Sequence, residues 1–105
     1  SSEVIRKRVI EARNIQLNRF QEKENMFYNA QMTSSLLREY CDLNDESLEL
    51  LKKAMDKLNL SARAYDRILK VARTIADLES SQNIKANHIA EAIQYRSLDR
   101  EGWLA

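Results

Sequence analysis

Apolar positions recur along most of this chain at spacings of three and four, and the intervals between those runs are short and polar. That pattern predicts successive amphipathic helices. The first is predicted over Glu3–Arg19, with Ile5, Val9 and Ala12 on one face and Ile10, Leu17 and Phe20 beside it. Its outer surface pairs Glu3 with Lys7 and Lys7 with Glu11 at i,i+4, while Arg6, Arg8, Arg13 and Arg19 leave it basic. Residues 21–33 lose the helical period and contain two Asn, so they read as a connection, with Met26, Phe27 and Tyr28 folded back onto the core. Thr33 then suits the N-cap of a short helix that buries Leu36 with Tyr40 and Leu37 with Cys41.

The next two helices carry clearer signals. Asn44 is a capping residue, Asp45 and Glu46 occupy the electropositive first turn, and Lys52, Lys53 and Lys57 gather at the negative end. The stripe Leu48, Leu51, Met55 and Leu58 faces a neighbour. Ser61 caps a fourth helix whose apolar arc runs from Tyr65 through Ile68, Leu69, Ala72 and Ile75 to Leu78, wide enough to make it the most buried. Its outward charges pair as Asp66 with Lys70 and Arg73 with Asp77. A fifth helix is predicted over Ala86–Arg96, with Ile84 and Ile89 in the positions of a hydrophobic staple across a cap at Lys85. His88 falls in its first turn, where a surface or capping role fits better than a catalytic one.

The expected fold is therefore all-α, a single domain of about five helices over residues 1–97, with 98–105 a tail whose Trp103 is either docked or loose. Composition narrows the class. One Gly and no Pro in 105 residues leave little material for tight hairpins. The lone Cys41 has no internal partner, and no His or Cys clusters near it to bind a metal. No apolar run reaches the ~20 residues of a membrane span, and no signal segment leads the chain; a cytoplasmic location without membrane contact is expected. A formal charge of +1 and a pI of about 7.8 disfavour dedicated nucleic-acid binding. Phosphate loops need several glycines, a magnesium-carrying strand end is not visible, and no nucleophile has a catalytic context. The fragment alone is not expected to be an enzyme.

One placement runs against elementary electrostatics. Arg63 and Arg67 open the fourth helix at its electropositive end, where a cation costs a few tenths of a kcal/mol unless an anion compensates it. Asp66 can reach Arg63 at i,i+3, which would remove part of the excess.

The run LSARAYDRILKVARTIADLESS followed by IKANHIAEAIQYRSLDR closely resembles the C-terminal lid domain of magnesium-chelatase-like AAA+ ATPases of the bacterial YifB/ComM type. Upstream, IRKRVIEARNIQ, NAQM and LREYCDLNDESLELLKKAMDKL follow in the same order, so the resemblance covers about Glu3–Arg100. It implies a helical lid behind an ATPase core lying outside these residues, whose lid helix opening S-x-R carries the sensor-2 arginine that reaches the γ-phosphate of ATP. By position in LSARAY that residue is Arg63, with Arg67 a candidate second contact or a contact to a neighbouring subunit. A guanidinium offers forked donors to phosphate oxygens and remains charged at any working pH.

The same resemblance implies that ATP and Mg²⁺ are held by the core, and that this fragment alone binds ATP weakly or not at all. The phosphate loop, the magnesium-binding strand and the arginine finger of the family have no counterpart here. Expected partners are the protein's own ATPase core and neighbouring subunits of a homo-oligomeric ring, with DNA processing the implied task of the whole protein and metal insertion into a porphyrin less favoured. Tyr65 is read as core, since it shares its stripe with Leu69 and Ala72. The competing reading is a free-standing helical interaction or nucleic-acid-binding module that uses the basic face of the first helix.

Overall fold

The computed structural model describes residues 2–21, 26 and 29–100, with side chains through Tyr95. Five α-helices are present among them: α1 (Ser2–Arg19), α2 (Ser34–Tyr40), α3 (Asp45–Leu58), α4 (Ala62–Leu78) and α5 (Ala86–Arg100). A 3₁₀ turn, Asn29–Gln31, interrupts the connection between α1 and α2. The all-α expectation is met, and no strand occurs among the described residues; a single bridge joins Leu43 to Ile84. Phe27, Tyr28 and Trp103 lie outside the described residues.

The predicted caps form. Thr33 accepts from the Leu36 amide at 3.4 Å, Asn44 from Ser47 at 2.8 Å and Ser61 from Ala64 at 3.2 Å. Each satisfies a first-turn N–H that has no partner within its helix. With glycine nearly absent, the helix ends use other residues in the left-handed region. Asn59 (φ 53°) follows α3 and Ser80 (φ 56°) follows α4. Around Ser80, the Ser81 amide returns to the Ala76 carbonyl and the Ser80 amide to Asp77, which closes a Schellman turn and stops α4.

The staple across Lys85 also forms, since Ile84 and Ile89 are both buried. His88 completes it. The buried imidazole accepts from the Lys85 amide through Nδ1 at 2.9 Å, the part Glu or Gln plays in a capping box. Its Nε2 stands 3.3 Å from a Glu79 oxygen. The α5 helix continues to Arg100, four residues past the predicted stop.

α4 is the central helix, packed by α5, α1, the 3₁₀ turn and α2, while α3 leans on α5. Phe20, Leu37, Leu51, Ile68, Ala72 and Ile89 form the centre of the core, and Met26 packs against its edge. Phe20 meets Tyr40 edge to face at 5.7 Å. Leu51 is fully buried, but Leu58 at the end of the predicted α3 stripe is exposed, because the stripe outruns the helix it packs on.

The largest departures concern charge. Arg73 and Asp77 do pair, at 3.2 Å, yet both are buried rather than outward. Arg19 is not part of the exposed basic face of α1: it turns inward and forms a bidentate bridge to Asp77 at 2.8 and 2.9 Å. Asn29 donates to Asp77 at 2.9 Å and accepts from Arg19 at 2.7 Å, while its amide donates to the Gln16 side chain. Arg73 donates to the carbonyls of Tyr40, Ser81 and Gln82, linking the end of α2 to the α4–α5 loop. Burial pushes the Arg73 guanidinium below its usual pKa; Asp77 opposes that shift and Arg19 adds to it. The predicted Asp66–Lys70 pair is absent among the described residues, since Lys70 donates instead to the Ala30 carbonyl at 3.3 Å.

α1 departs in the other direction. Ala12, Gln16 and Phe20 are buried, but Val4, Ile5, Val9, Ile10 and Leu17 are between 41% and 62% exposed. The helix meets the C-terminal half of α4, where Arg8 donates to the Leu78 carbonyl and Arg19 to Asp77, and its first turns are exposed.

Two outcomes follow for stability. Asp77→Asn removes the only buried carboxylate facing Arg19 and Arg73 among the described residues, and is expected to cost about 3–5 kcal/mol. Urea denaturation at pH 7, followed by far-UV circular dichroism, would contradict this by an unchanged midpoint. Cys41 is buried beside the Leu69 carbonyl, and burial raises its thiol from 9.0 to about 11, partly offset by Arg73 and Arg19. The folded thiol therefore keeps its proton while the unfolded one ionises, so its contribution is complete below pH 9.0 and lost as pH rises toward about 11. The stability gap between wild type and Cys41→Ala should shrink between pH 8 and pH 10.5; a constant gap would show that the thiol titrates alike in both states.

Candidate functional site

The N-terminus of α4 begins at Ala62, so Arg63 stands second in the helix and Arg67 one turn on. Both side chains are exposed and, four residues apart, share one edge of the helix. The Ser61 hydroxyl satisfies the Ala64 amide, which leaves the remaining first-turn N–H dipoles pointing the same way as Arg63. No acidic residue occupies this first turn, whereas α3 has Asp45 and Glu46 in the same place. The two helix starts are thus opposite in charge.

Asp66 does not supply the missing anion. It is half-buried and lines the hollow between α2, α3 and α4 with Leu37, Cys41 and Leu69, and no ion pair to Arg63 forms. Among the described residues no hydrogen bond or ion pair holds the Arg63 guanidinium. Arg67 has an interaction within the chain, so the two arginines are not equivalent. The cationic edge continues to Lys70, half-buried and tethered to Ala30. Such an edge can take a polyanion such as a phosphate chain, with guanidinium forks as donors and the helix dipole adding to the attraction.

Arg63 lies at the opposite end of α4 from the buried Arg19–Asp77–Arg73 cluster, about 15 Å from Arg73 along the axis at the helical rise of ~1.5 Å per residue. The structure brings Arg63 and Arg67 together and leaves Arg19 out of any surface site. Of the arginines read as the basic face of α1, Arg6, Arg8 and Arg13 remain exposed, with Arg8 donating to the Leu78 carbonyl, and Arg19 is withdrawn. That removes one of the four cations from the nucleic-acid-binding face of the competing reading.

The cluster around Asp77 was only partly visible beforehand, as the Arg73–Asp77 spacing. Arg19 and Asn29 gave no signal of joining it, since an isolated Arg and a loop Asn are unremarkable in sequence. Among the described residues, no group of three or more His, Cys, Asp or Glu is placed to hold a metal ion. No helix is long and apolar enough to cross a membrane.

The chain is 44% identical over 100 residues to competence protein ComM of Haemophilus influenzae, a match covering 95% of this chain and 19% of that protein. It is 42% and 41% identical, over the same shares, to the uncharacterised protein YifB of Escherichia coli and of Salmonella typhimurium. The chain thus spans about a fifth of the length of these curated relatives, and the match lies in their C-terminal part. Residues 1–96 match the family described as magnesium chelatase, subunit ChlI C-terminal. With that match over nearly its whole length and with its helical architecture, the chain belongs to the magnesium chelatase ChlI C-terminal family.

Proposed function

We propose that this domain is the C-terminal lid of a ring-forming ATPase of the magnesium-chelatase-like family, and that Arg63 is its sensor-2 arginine. The observation that carries the reading is an exposed, unpaired arginine at a helix N-terminus that lacks the acidic residues a helix start normally gathers. In this reading the complementary anion is the γ-phosphate of ATP, held with Mg²⁺ in the N-terminal core of the full-length protein.

The chemistry suits the task. During phosphoryl transfer charge spreads over the γ-phosphate oxygens, and a positioned guanidinium stabilises it with two donors at once. Arg63 is carried on the most buried helix of the domain, so its backbone moves with the whole lid. Losing the γ-phosphate removes the anion that holds Arg63, and the lid is released: sensing and catalysis then share one contact. Arg67 is a second contact in this scheme, either to the same nucleotide or to a neighbouring subunit. The ring is homo-oligomeric and cytoplasmic, and its work is DNA processing, which is supported by the likeness to a protein named for competence.

The test uses the full-length protein. Arg63→Ala should lower kcat for ATP hydrolysis by about 10²–10³, the range for losing one donor to developing charge. Arg63→Lys should recover only part, because an ammonium lacks the fork. Far-UV circular dichroism should be unchanged in both. An unaltered kcat in Arg63→Ala would remove the assignment.

A further inference from the structure

α1 ends in a way the domain itself does not explain. Its inward face continues N-terminally from Ala12 through Val9 to Ile5, but Val9 is 42% and Ile5 62% exposed. Val9 borders a hollow of about 310 Å³ with Ala12, Gln16, Thr74 and Leu78. That hollow shares Ala30, Thr74 and Leu78 with a second, of about 460 Å³, walled by Val71, Ile75 and Tyr95. The two make one largely apolar tract, edged by Lys70 and Glu91, that runs from Val9 on α1 across α4 to α5, and Ile5 lies one turn beyond it along α1. Contiguous exposed apolar surface of this kind marks an interaction site.

We infer that this tract, from Ile5 and Val9 to Tyr95, seats the polypeptide that precedes the domain in the full-length protein. The inference rests on the reading above that such a polypeptide is present. Its first support is length: the relatives are about five times longer, and the matched region is their C-terminal part. The preceding chain must join at α1, the helix that carries the exposed apolar positions. A tethered neighbour acts at an effective concentration in the millimolar range, so it outcompetes free partners for a surface beside its own attachment point.

The pattern of α1 argues against a second copy as the occupant. Ile10 and Leu17 lie on a different face from Ile5 and Val9, and Arg6 and Arg13 stand between the two. The seam Ile5, Val9, Ala12 and Gln16 follows the 4-3-4 spacing of a pairing helix, but Ala12 and Gln16 are already buried within the domain, so only two of its positions are open to a second copy. The arginines instead form a polar margin beside the apolar strip, as at the rim of a heterologous interface.

Hydroxyl-radical footprinting of the full-length protein tests this, without nucleotide and at a concentration where light scattering reports a monomer. Ile5, Val9 and Tyr95 should be oxidised at least about fivefold more slowly than their exposure in the domain allows, as expected for the buried centre of an interface, with exposed Leu58 on α3 as the reference. Oxidation of Ile5 and Val9 at the rate expected from their exposure would overturn the proposal. So would protection that appears only on assembly, since the occupant would then be another subunit. ATPase activity of the same protein, measured separately with ATP and Mg²⁺ at a concentration where it assembles, keeps the two readings apart. An active ATPase with an unprotected tract refutes the docking alone; a protected tract with an unaltered Arg63→Ala kcat refutes the sensor alone.

Discussion

Asp77 is the constraint on which the arrangement of the helices depends. It is buried with two arginines, and neither cation is on a neighbouring turn by accident: Arg19 arrives from α1 and Arg73 from one turn earlier on α4. Taking such groups out of water is costly, and their attraction compensates only when most donors and acceptors find partners; in this cluster the buried Arg73 Nε–H has none. Here Asp77 accepts from Arg19 twice and from Asn29, with Arg73 alongside, and Arg19 also stacks near Tyr40 at 5.7 Å. One carboxylate thereby ties α1, the 3₁₀ turn and α4 together, and Arg73 extends the tie to α2 and the α4–α5 loop. The hydrogen bonds around Asp77 are directional, whereas the apolar contacts of the core are not.

That arrangement polarises α4. Its C-terminal half is fixed by buried charge and crossed by α1, while its N-terminal end holds Arg63 in solvent with no counter-ion in the first turn. One end of the helix is thus held by buried ion pairs and the other carries exposed positive charge. The start of α1 is left uncovered, with residues 2–11 exposed. The domain therefore has two incomplete surfaces, a cationic one at the start of its central helix and an apolar one along its second half, with Lys70 between them. A fragment spanning a fifth of its relatives is expected to show such unfinished faces.

Much of the fold could be read without coordinates. The caps at Thr33, Asn44 and Ser61 and the staple of Ile84 and Ile89 are local, and each formed where its pattern stood. The arginines at the start of α4 were legible for the same reason, since helix polarity follows from the N-cap. What went unread was long-range. Arg19 lies 58 residues from Asp77, so nothing in its neighbourhood distinguished it from the solvated Arg6 and Arg13. Asn29 looked like loop filler until its side chain was found bridging Arg19 and Asp77. His88 was recognised as a capping candidate, but its depth of burial depends on Glu79 and the packed loop before α5.

By itself the sequence determined the helices, their ends and the unbalanced charge that begins α4, because propensity, capping and the helix dipole act within a turn or two of chain. Only the tertiary structure decided which charges are buried and which apolar positions are covered. Both depend on what another helix presents from far along the chain. Periodicity marked Ile5 and Val9 as inward-facing, yet inward-facing and covered are different properties.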